Sequence, residues 1–417
     1  MITKTIDRIK SNPFLQDNII LFIGLFVAGI GGFIYHFVMG RLLGPADYGS
    51  LGALLSLAYI FLIILNTTQM GIAQITARLA IEKAQQKIMY MFRKLLFELF
   101  IIGLCFIAIY FFFSFLISKY LHVSVASTFI VGIALFFMLL LSIPRGMMQG
   151  LQKFFLLSSN NILESFVKLL AGMLFVYLGY GVAGAVGGIV FGYALAFLIG
   201  IFHFRSYLSI KRQELSFFNQ LYRSTFYLGL VLTSLTLYYT ADVLIVKHFF
   251  DEIQAGYYAA LAIFGKVIFF GSSSIGQVMF PKVVSLHAEK KPHKHLFYKS
   301  SFLTLIVIFP ILFAYFVFPT LVVQILFGPN FLEIAPLLGL FAIYMTLFCF
   351  VYLFAYYFVS LGDNWPFLGV LYFFNVVEIY LLYNFHDSLS QVITLLIVLS
   401  LIFLVVLFIK FVRTRDA

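Results

Sequence analysis

The strongest constraint on this chain is a set of apolar runs without a single Asp, Glu, Lys or Arg. The 23 residues from Asn18 to Gly40, the 28 from Ser50 to Ala77 and the 36 from Leu169 to Phe204 all have this property. At about 1.5 Å of rise per residue, roughly 20 apolar residues cross a bilayer core as an α-helix. Between the first two runs lies Gly40-Arg41-Leu42-Leu43-Gly44-Pro45-Ala46-Asp47-Tyr48-Gly49. Its Gly44-Pro45 step stops a helix, because proline lacks an N–H and biases its neighbour away from the α region. The pattern predicts two membrane helices joined by a tight turn outside the membrane. The 36-residue run is too long for one span, and Gly179-Tyr180-Gly181 followed by Gly184 predicts the turn within it.

The rest of the chain has the same character. Hydrophobic residues make up 63% and charged residues 10%, against roughly 25% charged in a soluble domain. The alternation of a membrane barrel, in segments of about 10 residues, is not visible. The chain therefore reads as an all-α integral membrane protein. Charge positions, Gly/Pro breaks and run lengths predict twelve spans. They cover 18–40, 49–77, 96–117, 124–145, 158–178, 183–204, 224–247, 254–280, 299–318, 334–361, 366–384 and 389–409. Gly328-Pro329-Asn330 ends the region before the tenth.

Charge placement tests that count. With the N-terminus in the cytoplasm, 22 of the 27 Lys and Arg fall on inner segments. Three, Arg41, Lys119 and Lys247, fall on outer turns, and Lys168 and Lys266 lie within the membrane. Basic residues favour the cytoplasmic side, so the count predicts both termini inside and a multi-pass protein of the inner, cytoplasmic membrane. The net charge of +11 then marks a membrane face and no nucleic-acid partner. Lys4, Arg8 and Lys10 precede a run too long for a signal-peptide core, which predicts a retained first helix. Cys105 and Cys349, both inside apolar runs, read as packing residues. His287, His293 and His295 among lysines predict a solvated basic loop rather than a metal site. Cofactor motifs and enzyme signatures such as a Gly-rich phosphate loop, GxSxG or HExxH do not occur.

The halves repeat loosely. Gly44-Pro45-Ala46-Asp47-Tyr48-Gly49 is echoed by Phe250-Asp251-Glu252-Ile253-Gln254-Ala255-Gly256-Tyr257-Tyr258. Gly150, after the fourth span, is echoed by Gly362, after the tenth. Six spans is an even number, so both halves enter from the same side. This predicts two six-helix lobes, 1–205 and 206–417, related by a pseudo-two-fold axis along the membrane normal.

Taken in order, these motifs resemble the Wzx-type polysaccharide flippases of the multidrug/oligosaccharidyl-lipid/polysaccharide exporter superfamily. The residues that carry the resemblance begin with Gly40 to Gly49. Arg145-Gly146 with Gln149-Gly150-Leu151-Gln152-Lys153-Phe154 follows, then Ala241-Asp242, Ala255-Gly256-Tyr257-Tyr258 and Leu326-Phe327-Gly328-Pro329. The resemblance implies that helices 1, 2, 7 and 8 face a central cavity. It also implies alternating-access transfer of an undecaprenyl-pyrophosphate-linked oligosaccharide from the cytoplasmic to the outer leaflet, for cell-surface polysaccharide biosynthesis. Partners would be that polyprenyl-linked oligosaccharide, membrane lipids, a coupling cation (H+ or Na+) and polysaccharide-assembly proteins. Related lipid II flippases usually carry two further helices, which are not apparent here. A drug or metabolite/cation antiporter of the same fold is the alternative. A polysaccharide polymerase or glycosyltransferase fits less well, since it usually needs a sizeable outer loop bearing catalytic groups.

Charges at membrane depth cost about 2.5–3.5 kcal/mol each on insertion scales, so each is a candidate site. Lys266 is expected as a cavity cation for phosphate, or alternatively as the partner of a buried carboxylate such as Glu378. Asp242 is the obvious counter-ion but lies roughly 10 Å higher at helical rise; it reads as a coupling-ion or structural charge. Lys168 follows Glu164 by four residues, which predicts either an intrahelical pair or a second cavity cation. Arg41 reads as an interfacial anchor or a pyrophosphate ligand. Asn66, Gln69 and Gln277 would bond sugar hydroxyls or serve as polar packing. His36 reads as a satisfied interior histidine. A reporter fused after Lys291 is expected to read cytoplasmic and one in the turn at Pro45 external; a cytoplasmic Pro45 would overturn the span assignment.

Overall fold

A chain segment in hydrocarbon must satisfy its own N–H and C=O groups, and in segments this apolar only the α-helix does so. The computed structural model describes residues 13–208, 218–362, 365–414 and 416, with side chains except at 13–19, 64, 218–226 and 228. Lys4, Arg8, Lys10, Lys211, Arg212 and Arg415, which are among the inner charges, lie outside that description, as does the side chain of Arg223. Among the described residues there is no strand.

Among the described residues, ten stretches are long and apolar enough to cross a membrane, and two of these are double. Helix Pro13–Ile81 breaks at Gly44, whose φ of 73° only glycine adopts readily. It gives α1 (13–43) and α2 (45–81). The run Phe154–His203 breaks at Gly179 and Gly181, both at positive φ. It gives α5 (Phe154–Phe175) and α6 (Gly181–His203). The others are α3 (Gln85–Leu121), α4 (Val125–Gly150), α7 (218–249), α8 (Glu252–Ala288), α9 (Lys294–Val317), α10 (Ala335–Ser360), α11 (Trp365–Asn384) and α12 (Leu389–Arg413). Twelve spans are thus present among the described residues. Polar side chains cap the starts of several of them. The Ser124 side chain accepts from Ser127 N–H, Asp251 from the N–H groups of Ile253 and Gln254, and Ser388 from Gln391 N–H.

Four features differ from the sequence reading. Helix α7 is not continuous: pieces Phe218–Tyr238 and Ala241–Phe249 meet at a turn at Tyr239-Thr240. Helices α3 and α8 run well past their predicted ends, so most of 281–298 is helix rather than loop. In that segment His293 is fully buried, with Nδ1 2.8 Å from the Tyr357 hydroxyl. Burial, chiefly, holds the His293 pKa below its ordinary value. Asp416 accepts from the N–H groups of His293 (2.7 Å) and Lys294 (2.9 Å) and so caps α9. Desolvation would raise the Asp416 pKa, but these backbone bonds and the nearby His293 and Lys294 outweigh it and hold it low. Finally, Lys247, counted above among the outer-turn charges, is helical and buried, and Arg145, at the predicted end of the fourth span, lies inside a helix that continues to Gly150 with its side chain largely buried. Cys349 is buried, whereas Cys105 is exposed on α3.

The chain forms two compact units. One runs up to Leu43 and resumes with Phe61–Phe226; the other is Gly44–Ile60 with Tyr227–Ala417. The start of α2 therefore belongs with the second unit. In the first unit α5 and α6 press together at glycine: a Cβ on Gly188 would overlap the Gly172 backbone. Tyr35 of α1 ties in by donating to the Ala185 carbonyl at 2.8 Å. In the second unit α8 and α10 are central, with most of their apolar stretches buried, while α9 is peripheral. There the two motif echoes meet: a Cβ on Gly256 would overlap the Pro45 carbonyl, and one on Gly49 would lie 2.7 Å from Gly256 N. Tyr48 closes this contact by packing edge-on against Phe327 and Phe331. Gly256→Val is expected to lose about 1–3 kcal/mol through overpacking and to lower the thermal midpoint in detergent. Gly32→Ala, where a Cβ meets open space, should leave the midpoint unchanged.

Candidate functional site

The second unit holds two groups of buried polar side chains. Lys266, on α8, is 4% exposed. Its ammonium lies 4.3 Å from the centre of the Tyr59 ring and 5.9 Å from that of Tyr239. Tyr59 comes from the start of α2 and Tyr239 from the break in α7. Among the described residues no carboxylate stands within 4 Å of this ammonium. Asp242 acts on it only through its field. Aromatic faces thus replace a counter-ion, an attraction worth up to about 2 kcal/mol where water is excluded. Phe269, Phe348 and Tyr352 extend the aromatic surface beside Tyr239. Gln277, exposed on α8, reaches the Tyr352 hydroxyl.

The second group is built on two buried carboxyl groups. Asp242 opens the second piece of α7 and is 1% exposed. Its Oδ1 accepts the Val243 N–H at 2.8 Å, and its Oδ2 accepts the Tyr258 hydroxyl at 2.7 Å. Glu378, on α11, is also 1% exposed, and neither of its carboxyl oxygens has a hydrogen-bond partner. Asn375, one turn earlier, donates to the Ser234 hydroxyl and leaves its own Oδ1 unpartnered. Tyr238 and Ser400 bond to one another at 3.0 Å, and Tyr344 donates to the Tyr238 carbonyl. Glu378 is therefore not hydrogen-bonded to Lys266; the charge that acts on it is Asp242. The two Glu378 oxygens and Asn375 Oδ1, one turn apart on α11, are thus buried without hydrogen-bond partners, and a proton or cation would lower the cost of burying them.

In the first unit the intrahelical Glu164–Lys168 pair does not form. Glu164 instead accepts from Arg145 Nη2 at 2.8 Å, with each side chain 12% exposed. Arg145 Nε donates to Asn160 Oδ1 at 2.8 Å, and Asn160 donates to the Ala196 carbonyl. Guanidinium geometry explains the exchange, since a fork can serve an amide and a carboxylate together. Lys168 is left half-buried, its ammonium 5.4 Å from the centre of the Tyr35 ring. Gln69 donates to Gln149 of α4 at 3.1 Å, so its amide serves helix packing. Asn66 and Arg41 are exposed, and His36 is buried beside Tyr35. His287 and His293 rings lie 5.4 Å apart, but no group of three metal-ligating side chains occurs among the described residues.

The sequence reading missed the rings around Lys266, the Tyr258 bond to Asp242 and the role of Arg145. One signal for the α7 break was present: Thr240-Ala241-Asp242 has the composition of a helix start.

A family model described as polysaccharide biosynthesis protein matches residues 38–336, more than two thirds of the chain. The chain belongs to that family. No curated protein matches it by sequence. Among solved structures it is similar to an inward-facing multidrug resistance MATE family transporter of the MOP superfamily. The TM-score is 0.74 at 12% identity, over 90% of this chain and 94% of that one. It is also similar to the lipid II flippase MurJ in an inward closed conformation, at TM-score 0.73 and 14% identity, over 95% of this chain and 88% of that one. A third is the MATE multidrug transporter DinF-BH, at TM-score 0.66 and 15% identity, over 95% of this chain and 94% of that one. At these identities the likeness concerns fold. The chain is a multi-pass membrane protein with the fold shared by these transporters and this flippase.

Proposed function

We propose that this protein is a flippase that carries an undecaprenyl-pyrophosphate-linked oligosaccharide from the cytoplasmic to the outer leaflet of the inner membrane, with both termini cytoplasmic. It acts as a transporter and changes no covalent bond. The observation that carries the reading is Lys266, a buried ammonium held by tyrosine faces with no carboxylate bound to it. A pyrophosphate brings about two negative charges, and moving them through a low-dielectric space uncompensated would cost many kcal/mol. Lys266 can supply the compensation, and half-buried Lys168 is a second cation in the other unit, freed by the Arg145–Glu164 pair. The tyrosines around Lys266, with Gln277, offer flat apolar faces and hydroxyls suited to sugar rings. The lipid tail can stay in the bilayer throughout.

Asp242 and Glu378 take the coupling role in this scheme. A proton or Na+ reaching them satisfies the unpartnered oxygens of Glu378, and its arrival or departure biases the conformational equilibrium. The same pair is the one observation that favours the rival reading, an antiporter of cationic drugs. Substrate polarity separates the two, since a cationic drug would need the opposite field to that of Lys266. Lys168→Glu with Lys266→Glu is expected to abolish flipping in proteoliposomes while the protein still inserts, and Lys266→Arg to keep part of it. Wild-type cells should gain no resistance to cationic dyes. Flipping retained by the double variant, or clear dye export by wild type, would count against this function.

A further inference from the structure

A crevice opens in the first unit where the end of α4 meets the start of α5 and the end of α6. It has a volume of about 470 Å³. Its walls are apolar, with Met148, Leu156, Leu163 and Ile199 among them, and no Asp or Glu lines it. Phe202 and Ile199 on one flank are strongly exposed, as lipid-facing side chains are. Its deep polar residue, Asn160, is already bonded on both sides of its amide. The mouth is cationic. Arg205 lies with its guanidinium carbon 4.5 Å from the centre of the Phe202 ring. The Lys153 ammonium lies 3.1 Å from His203 Nε2. Lys153 and Arg205 are exposed and neither forms an ion pair among the described residues.

An apolar slot beside lipid-facing rings, topped by two unpaired basic groups and an imidazole, has the polarity of a phospholipid turned inside out. We propose that this crevice holds an anionic phospholipid of the leaflet on that side, the one that charge placement assigns to the cytoplasm. The phosphate would sit between Arg205 and the Lys153–His203 pair. An acyl chain would run along Phe202, Ile199 and Leu156. Acidic headgroups concentrate at a cytoplasmic leaflet, and basic groups near the surface attract them. Arg205, held over the Phe202 ring, can present two N–H groups to one phosphate. The second unit carries a smaller basic crevice at the matching ends of α10, α11 and α12, where Lys410 lies over Phe358 and Phe367. The feature thus recurs in both units, and this ligand is distinct from the transported one.

The test uses the full-length protein in nanodiscs and measures bound lipid by native mass spectrometry and stability by thermal unfolding. Wild type is expected to retain phosphatidylglycerol about tenfold more tightly than phosphatidylcholine and to unfold at a higher temperature with it. Lys153→Gln with Arg205→Gln should erase most of that preference. Lys83→Gln with Lys87→Gln, which removes two charges where α2 meets α3, beside the same core cluster but outside the crevice, should keep it. Inorganic phosphate at millimolar concentration should not reproduce the stabilisation. Equal retention of the two lipids by wild type, an equal loss in both double variants, or full stabilisation by inorganic phosphate would each overturn the proposal. The wild-type comparison decides the matter even if the crevice variant fails to fold.

Discussion

A charge in hydrocarbon has no water to turn to, and every feature of interest in this protein is an answer to that constraint. The first unit answers with a matched pair, Arg145 on Glu164, completed by an asparagine that shares the guanidinium. In the second, Asp242 takes a tyrosine hydroxyl and a backbone N–H, and Lys266 takes two tyrosine faces. Glu378 receives no hydrogen bond at all. A buried pair with good geometry is stable but inert. A buried charge with incomplete compensation is poised to take a ligand that completes it. That criterion underlies the proposed division of roles, with Arg145 and Glu164 structural and Lys266 and Glu378 functional.

The backbone sets up this division. The break in α7 puts Asp242 in the first turn of a fresh helix, where N–H groups without intrahelical partners and the helix dipole both favour a carboxyl group. The same break frees Tyr239 to lie beside Lys266. The start of α2, packed with the second unit through the Gly49–Gly256 contact, delivers Tyr59 from the other direction. Glycine is required at that contact because two backbones approach more closely than any Cβ allows, and Tyr59 is positioned ten residues beyond it.

Sequence revealed the spans because hydrocarbon imposes a length and forbids charge, and both are local properties. The Gly44 break and the paired motifs were legible for the same reason. Which charges meet was not. The i, i+4 spacing of Glu164 and Lys168 suggested a pair, yet Arg145, nineteen positions earlier, takes Glu164 because α4 and α5 lie side by side. The α7 break escaped notice because it contains neither glycine nor proline. Its turn is held by Thr240 bonding back to the Thr236 carbonyl, and by the N–H groups of Tyr239 and Thr240 reaching back only three residues. The tyrosine faces over Lys266 come from α2 and α7, and nothing local to Lys266 announces them.

The central claim is that Lys266 compensates an anionic headgroup, and equilibrium binding measures this without requiring transport. Purified protein in nanodiscs would be titrated with undecaprenyl pyrophosphate and with uncharged undecaprenol, for wild type and for Lys266→Ala. The account predicts that wild type prefers the pyrophosphate by at least about tenfold, equivalent to about 1.4 kcal/mol, and that the preference collapses in the variant while undecaprenol binding is unchanged. Equal affinity of wild type for the two lipids, or a preference that survives the loss of Lys266, would contradict it.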